Sequence, residues 1–496
     1  MAQRVIATDP VICIDTLLDG LSDTPSDCCI FRIHKTLRQV NEQAYDPEIV
    51  AIGPYHRDNK NLKMMQEHKL RYFRSLLQQN GENDTSRYVN AIRPLQHEDS
   101  LFYAKPVSFT ADEMIQIMVL DGCFIIELLR KFDMEHLIHQ DDPIFKSIWM
   151  VNSLQRDLML FENQLPFSIL CKLFDLIEAP NNHNRLIYLA LRFFNDLLPG
   201  TYKMQTGNSH GNIRHLLELV HNKWLPLSVT PIGNASSVGT TVGNASSVST
   251  SESRPIGNTS SASTTTENAS SVSMPIENAS SASATTENAS SVSMPIENAS
   301  SLSAPIGNGN WRFIPNTTEL LEAGVKLKKF KVTRGSLFDI KFDKGKLYIP
   351  SFTVEDRTES IFRNLIAYEQ YCPDNQRSYV TDYVKLLDCL IDSPKDVEIL
   401  SGLGIIDNWL GHDEAVSNIF NKISDAVSGT SMHFRYADIF NSVNIYCRRP
   451  YNRWMANLNR NYCNGPWAAI SVLAGSVLIL LTLAQTLYAV FPFRKL

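Results

Sequence analysis

Residues 114–129 read MIQIMVLDGCFIIELL, and this stretch decides the fold class. Its apolar residues recur at the three- and four-residue spacing that places them on one face of a helix. Other stretches repeat the pattern before and after it, which makes the fold class mainly α: residues 62–77, 151–165, 187–198, 361–366, 380–390 and 416–423.

One carboxylate interrupts the apolar face of this helix. Asp121 shares the stripe, Asp157 has a similar place in the next helix, and Glu162 follows soon after. A carboxylate in an apolar setting must be hydrogen-bonded, or its pKa rises. Paired carboxylates could perform acid–base chemistry, as in glycoside hydrolysis. Alternatively, they form a polar network that caps helices and fixes packing. We favour the network, because no positioned nucleophile accompanies them, and we predict no enzymatic activity.

Composition excludes several classes of protein. Twelve histidines form no HExxH spacing, and neither GxxxxGK[ST] nor GxGxxG occurs, so we predict no metal and no cofactor. A net charge of −6 argues against nucleic-acid binding. Nine cysteines contain no CxxC pair, which is typical of reduced thiols.

Composition also divides the chain. Residues 226–310 repeat a unit rich in Ser, Asn, Thr and Ala, which cannot bury enough apolar surface to order, and we predict a disordered linker. The predicted segments in order are an N-terminal segment (1–29), a helical part (30–225), the linker (226–310), a hairpin with further helices (311–465), a terminal helix (467–490) and a short tail (491–496).

A small β element follows the linker. The runs LFDIKF (337–342) and LYIPSF (347–352) flank a turn that contains Gly345, which predicts a β-hairpin. A basic cluster precedes it, at Lys326, Lys328, Lys329, Lys331 and Arg334. A solvated helix or strand face is the ordinary interpretation, and contact with anionic lipid is the alternative.

The terminal stretch from Trp467 to Val490 contains no charged residue. As a helix it would extend roughly 36 Å, enough for a bilayer core of about 30 Å. The sequence therefore predicts a C-terminal transmembrane helix in contact with the lipid bilayer. The N-terminus has no signal-peptide pattern, so this would be a single-pass tail anchor. Four arginines before the span against two basic residues after it predict a cytosolic body, on a plasma membrane or an endomembrane.

Acceptor motifs for N-glycosylation recur once per repeat. They would carry sugar only if this part of the chain faced the secretory lumen. The predicted cytosolic topology argues against that. The conditional sites are Asn234, Asn244, Asn258, Asn268, Asn278, Asn288, Asn298 and Asn316.

Several multi-residue blocks resemble the plant "domain of unknown function 247" family of single-pass membrane proteins. The blocks appear in the family's order: AIGPYH (51–56), DGCFIIELL (121–129), FENQLPF (161–167), FRNLIAYEQ (362–370), YVTDY (379–383) and NGPW (464–467). The repeat departs from the pattern, where relatives carry a loop of variable length. The resemblance implies a plant membrane protein with no established family-wide activity. Some relatives lie at the self-incompatibility loci of grasses and are candidates for pollen–stigma recognition.

Three functional hypotheses follow. The leading one is a membrane-tethered interaction, recognition or signalling protein without catalysis, with a protein partner of unknown identity and a possible homo-oligomeric state. The second is a membrane-anchored hydrolase or transferase that uses the buried carboxylates. The third is a glycosylated cell-surface receptor-like protein.

Overall fold

The computed structural model describes most of the two helical regions and the terminal helix. The described residues are 18, 28–95, 102–104, 109–178, 180–197, 213–225, 312–330, 336–371, 378–425, 427, 434–454, 456 and 466–490. The predicted linker and the acceptor asparagines Asn234 to Asn298 lie outside them, as do most of the N-terminal segment and the tail.

The first described region is helical, as the apolar periodicity predicts. Its α-helices are α1 (Lys35–Val40), α2 (Met64–Gln79), α3 (Ser86–Ile92), α4 (Ala111–Asp133), α5 (Pro143–Lys146), α6 (Ile148–Asp157), α7 (Phe167–Ile177), α8 (His183–Phe193) and α9 (Leu216–Trp224). Short 3-10 turns lie at Glu42–Ala44, Lys60–Leu62, Arg93–Leu95, Glu135–Leu137 and Asn195–Leu197.

Helix α4 is the centre of this region. Thr110 and Glu113 form a capping box at its start, and Arg130 and Lys131 lie in its last turn, where the helix dipole favours positive charge. From Ile117 to Leu129 every residue is buried, because α2, α3, α7 and α8 pack around the helix. At Gly122 a Cβ atom would lie 2.4 Å from the Leu173 side chain, so glycine allows α7 to approach closely.

The second described region combines helices with short strands. Its elements are α10 (Thr317–Glu322), β1 (Lys326–Phe330), β2 (Lys341–Asp343), β3 (Lys346–Pro350), β4 (Phe352–Val354), α11 (Thr358–Tyr371), α12 (Tyr379–Leu390), α13 (Pro394–Gly402), β5 (Ile406–Asn408), α14 (Asp413–Ile423), α15 (Ala437–Cys447) and α16 (Pro466–Val490).

The predicted hairpin is present, with shorter strands than the sequence suggested. β2 and β3 pair antiparallel through a turn in which Lys344 and Gly345 have φ of +46° and +75°. β1 adds to β3 in parallel, giving the order β1-β3-β2, and β4 pairs with β5 in a separate two-stranded parallel sheet. The protein is therefore mainly helical with small sheets.

The described residues of Met1–Val229 and Ala304–Leu496 belong to one compact unit. In this unit, Asn364 on α11 accepts the Phe161 amide at 2.9 Å and donates to the Ala44 carbonyl at 2.9 Å. The regions before and after the repeat therefore share one core.

The prediction of a transmembrane helix is wrong. Over the described residues, no helix has the length and apolar content that crossing a membrane requires. The prediction rested on the length of residues 467–490 and on their lack of charged side chains, and lack of charge does not by itself establish enough apolar content for a span. The span from Trp467 to Val490, the bilayer contact and the single-pass, tail-anchored localisation are all corrected by this finding.

Candidate functional site

The three candidate carboxylates lie along one irregular segment, residues 48–56. Asp121 comes from α4, Asp157 from the end of α6, and Glu162 from the loop that follows α6. Their exposed fractions are 0%, 0% and 1%. Residues 48–56 have no strand partner, so their backbone groups need side-chain partners when buried.

Asp157 binds the start of this segment. Its carboxylate accepts the amides of Glu48, Ile49 and Val50 at 2.9, 2.8 and 3.0 Å. Arg156 adds a fourth donor at 2.9 Å. Burial raises the pKa of Asp157 to about 6, against the lowering effect of these donors.

Asn163 binds the middle of the segment. Its side-chain oxygen accepts the Ile52 amide at 2.6 Å, and its side-chain nitrogen donates to the carbonyls of Val50 and Asp157 at 3.0 and 2.9 Å. The side chain therefore connects the segment directly to the loop after α6.

Asp121 binds the Gly53 amide at 2.9 Å and forms a fully buried ion pair with Lys69 of α2. Lys69 also donates to the Ala51 carbonyl, and Arg57 lies 3.6 Å from Asp121. Burial lowers the pKa of Lys69, and the Asp121 charge opposes that shift. The polar residue on the apolar face of α2 is thus the partner of the carboxylate on α4.

The backbone conformation at residue 53 and the space around it both require glycine. Its φ is +69°, and a Cβ atom there would lie 2.8 Å from the Gln164 carbonyl oxygen and 3.0 Å from the Tyr103 hydroxyl. Only glycine meets both conditions without strain.

Glu162 binds the end of the segment and the chain before α1. It accepts from Arg32 at 3.1 Å, from Arg38 at 3.0 Å and from the Ile33 amide at 2.7 Å, and His56 lies 3.3 Å away. Burial alone would raise its pKa, but His56, Arg38 and the Ile33 amide together hold the pKa of Glu162 at about 2.

A second buried polar cluster lies between α9 and α11. His221 and Glu369 form a buried pair at 2.8 Å, and Glu369 also accepts the amides of Val380 and Thr381 at 2.9 and 2.8 Å. Nearby, Glu218 accepts the Tyr368 hydroxyl at 2.8 Å. Glu369 therefore accepts first-turn amides of α12 and joins that helix to α9 and α11.

No sequence pattern identifies most of these partners. Arg32, Arg38 and His56 lie outside the periodic apolar stretches, and Arg156 lies between the apolar positions of residues 151–165. No pattern therefore separates them from surface residues. Lys69 could have been identified from the sequence, because it is a charged residue on the apolar face of a predicted helix. Among the described residues, no group of three or more His, Cys, Asp or Glu side chains has the arrangement of a metal site.

Asn316 is the one predicted glycosylation site among the described residues. Its side-chain oxygen accepts the Glu319 amide at 2.9 Å and caps α10. The residue therefore has a local structural use that its acceptor motif did not suggest.

Comparison with known proteins agrees with this arrangement of sequence blocks. A family profile described as "Plant protein of unknown function", DUF247, matches residues 30–481. The chain belongs to this family. The match includes all three carboxylates and their partners, from Arg32 to Glu162.

Two plant relatives are similar over most of their length. UPF0481 protein At3g47200 of Arabidopsis thaliana is 27% identical over 471 residues, covering 94% of this chain and 87% of the relative. Putative UPF0481 protein At3g02645 of the same plant is 25% identical over 492 residues, covering 93% and 90%. No solved structure matches this member of the family.

Proposed function

We propose that this family member is a non-catalytic recognition protein, and that Asp121, Asp157 and Glu162 organise its fold. The observation that carries this proposal is that hydrogen-bond donors of the chain already occupy the oxygens of these carboxylates. Each is buried and accepts backbone amides of residues far away in sequence. A carboxylate whose lone pairs are occupied in this way stabilises a loop and has little capacity left for a substrate.

The competing proposal is a hydrolase or transferase that uses the same carboxylates. General acid–base catalysis requires the group to reach the reacting atoms within hydrogen-bond distance. The nearest groups around Glu162 are Arg32 and Arg38, which both donate to it, and His56, whose Nε2 lies 3.3 Å away. The geometry therefore favours the structural role over chemistry.

Three conservative variants separate the two proposals: Asp121→Asn, Asp157→Asn and Glu162→Gln. Each should lower the thermal unfolding temperature of the purified chain, because each removes an ionic acceptor from a buried network. In parallel, the unchanged chain and the variants are assayed against chromogenic glycosides, esters and phosphate esters. Turnover that disappears in a variant with unchanged unfolding temperature would overturn the non-catalytic proposal.

Recognition itself requires a saturable protein partner. The tagged full chain is used to capture proteins from plant tissue, with untagged chain as competitor. We expect a partner that the competitor displaces in a concentration-dependent manner. Absence of any displaceable partner in the tissue that makes the protein would contradict the recognition role.

A further inference from the structure

One face of the three-stranded sheet carries lysines and faces solvent. Strand alternation places Lys326 and Lys328 of β1, Lys346 of β3 and Lys341 of β2 on this side, around the half-buried Tyr348. We name these four lysines the lysine face. The opposite side of the sheet buries Leu327, Leu347 and Ile349, so the orientation of the lysines is fixed by the core.

The strand register arranges these charges in two rows. In the first row Lys326 lies opposite Lys346, and Lys346 lies opposite Asp343. In the second row Lys328 and Lys341 lie on the two sides of Tyr348. Like charges directly opposite each other on a sheet destabilise it, so the Lys326–Lys346 pair carries a cost that a bound anion would relieve.

Within the two rows, four lysines face a single carboxylate, that of Asp343, so the charge is only partly compensated. None of the four lysines forms an ion pair with a carboxylate in the part of the chain that the structure describes, and Lys341 contacts the Phe330 ring at 5.3 Å. Asp343 is the one acidic residue in the two rows. The face is therefore positive on a chain whose net charge is −6, which gives it charge complementarity to an acidic partner.

We propose that the lysine face binds an extended acidic segment of a protein partner, with carboxylates on alternate residues. The two lysine rows are two residues apart along β1 and β3, about 6.6 Å. Side chains two residues apart on one face of an extended peptide have the same spacing. One carboxylate of the segment lies over the Lys326–Lys346 pair, and the next lies between Lys328 and Lys341 above Tyr348.

A peptide fits this face better than a nucleic acid does. Sequence-tolerant binding of single strands uses several aromatic platforms inside a basic groove. Here Tyr348 is half-buried and Lys341 covers the Phe330 ring, so the face lacks the exposed aromatic platforms that such binding uses. This inference rests on the proposed recognition function and specifies the chemistry of its partner.

The test measures binding of a labelled octapeptide of alternating Glu and Thr to the full chain by fluorescence anisotropy. A peptide of the same composition, with all Glu residues in one block, tests the spacing. We expect the alternating peptide to bind more tightly, and its affinity to fall between about 50 mM and about 300 mM NaCl. Equal affinity for both peptides, or no binding of either, would overturn the proposal.

A matched pair of variants tests the location. Lys328→Gln combined with Lys346→Gln should weaken binding about tenfold, because one lysine is lost from each row. The control combines Lys60→Gln with Lys63→Gln, two exposed lysines of the helical region, and should change affinity by less than about twofold. Circular dichroism confirms that both variants fold. Equal weakening in the control would overturn the assignment to this face.

The last experiment measures binding of a labelled oligothymidylate to the full chain in the same way. Tighter binding than the alternating peptide, with the same dependence on Lys328 and Lys346, would assign the face to nucleic acid and overturn the peptide proposal. If the peptide fails while the tissue partner is still captured and displaced, only the lysine-face inference fails. Loss of the displaceable partner itself would be a failure of the recognition function.

Discussion

Residues 48–56 and the hairpin of β2 and β3 are both short non-helical segments, but their backbone groups are satisfied in different ways. The hairpin bonds to its own strands, with Phe342 opposite Leu347. Residues 48–56 instead bond to buried side chains of Asp121, Asp157 and Asn163. A hairpin whose backbone groups bond to each other needs only the correct turn. A segment whose backbone amides bond to carboxylates requires buried charge, so the stability of the fold depends on the partners of those carboxylates and on pH.

The largest test of this difference is Asp157→Ala. It leaves three amides without their acceptor and removes one of the several acceptors of Arg156. We expect the free energy of unfolding to fall by about 4 kcal/mol. Urea denaturation followed by circular dichroism measures it. The control is Asp141→Ala, at an exposed carboxylate that pairs with Lys146, and should change the free energy by less than about 1 kcal/mol. Similar losses in both would contradict the contrast between the two regions.

The second test uses pH. The pKa of Glu162 is about 2 in the folded chain, below its ordinary value of 4.5. The carboxylate therefore stabilises the fold above pH 4.5, and this contribution is lost as pH falls towards 2. At neutral pH we expect the free energy of unfolding of the wild-type chain to be roughly 3 kcal/mol larger than that of Glu162→Gln. This difference should shrink as the pH falls from 4.5 towards 2. Urea titrations at a series of pH values measure it, and a difference independent of pH would refute the prediction.

The third test is steric. Gly53→Ala forces a side chain into positive φ and against the Gln164 carbonyl, and we expect a loss of about 2 kcal/mol. Gly402→Ala is the control, since a Cβ atom there meets nothing within 4 Å. Differential scanning calorimetry of the two variants should show a lower unfolding temperature for Gly53→Ala alone. An unchanged unfolding temperature for Gly53→Ala would mean that residues 48–56 can move away from the loop after α6.

The smallest expected change in stability comes from a substitution in the hairpin turn. Lys344 has φ of +46° directly before Gly345, a conformation that asparagine adopts more readily than lysine does. Lys344→Asn should therefore stabilise the chain by about 0.5 kcal/mol. Thermal unfolding measures it. A destabilised variant would show that Lys344 has a contact more valuable than the turn geometry.

The same contrast explains what could be predicted from sequence. The hairpin was predictable because Gly345 and the alternating strands are local signals, whereas β1 pairs with β3 in parallel across residues 331–345, which no local pattern indicates. Family membership was predicted correctly from contiguous blocks. Asp121 was recognised as unusual because it lies on an apolar face. Its donors were not identified, because Gly53 and Lys69 meet it only through the tertiary fold. The membrane span was wrong because an uncharged stretch was taken as sufficient.

The bond from the Phe161 amide to Asn364 also has a consequence for the order of events during synthesis. The two residues are 203 positions apart, and the Ala44 carbonyl lies 320 positions from the same asparagine. At about 5–20 residues per second, a ribosome needs roughly 10–40 s to make Asn364 after Phe161. During that interval the nascent helical region has its apolar helices but lacks the Asn364 side chain that binds the Phe161 amide and the Ala44 carbonyl. The intervening repeat lengthens this interval, and with it the time in which chaperones can bind the unfinished domain.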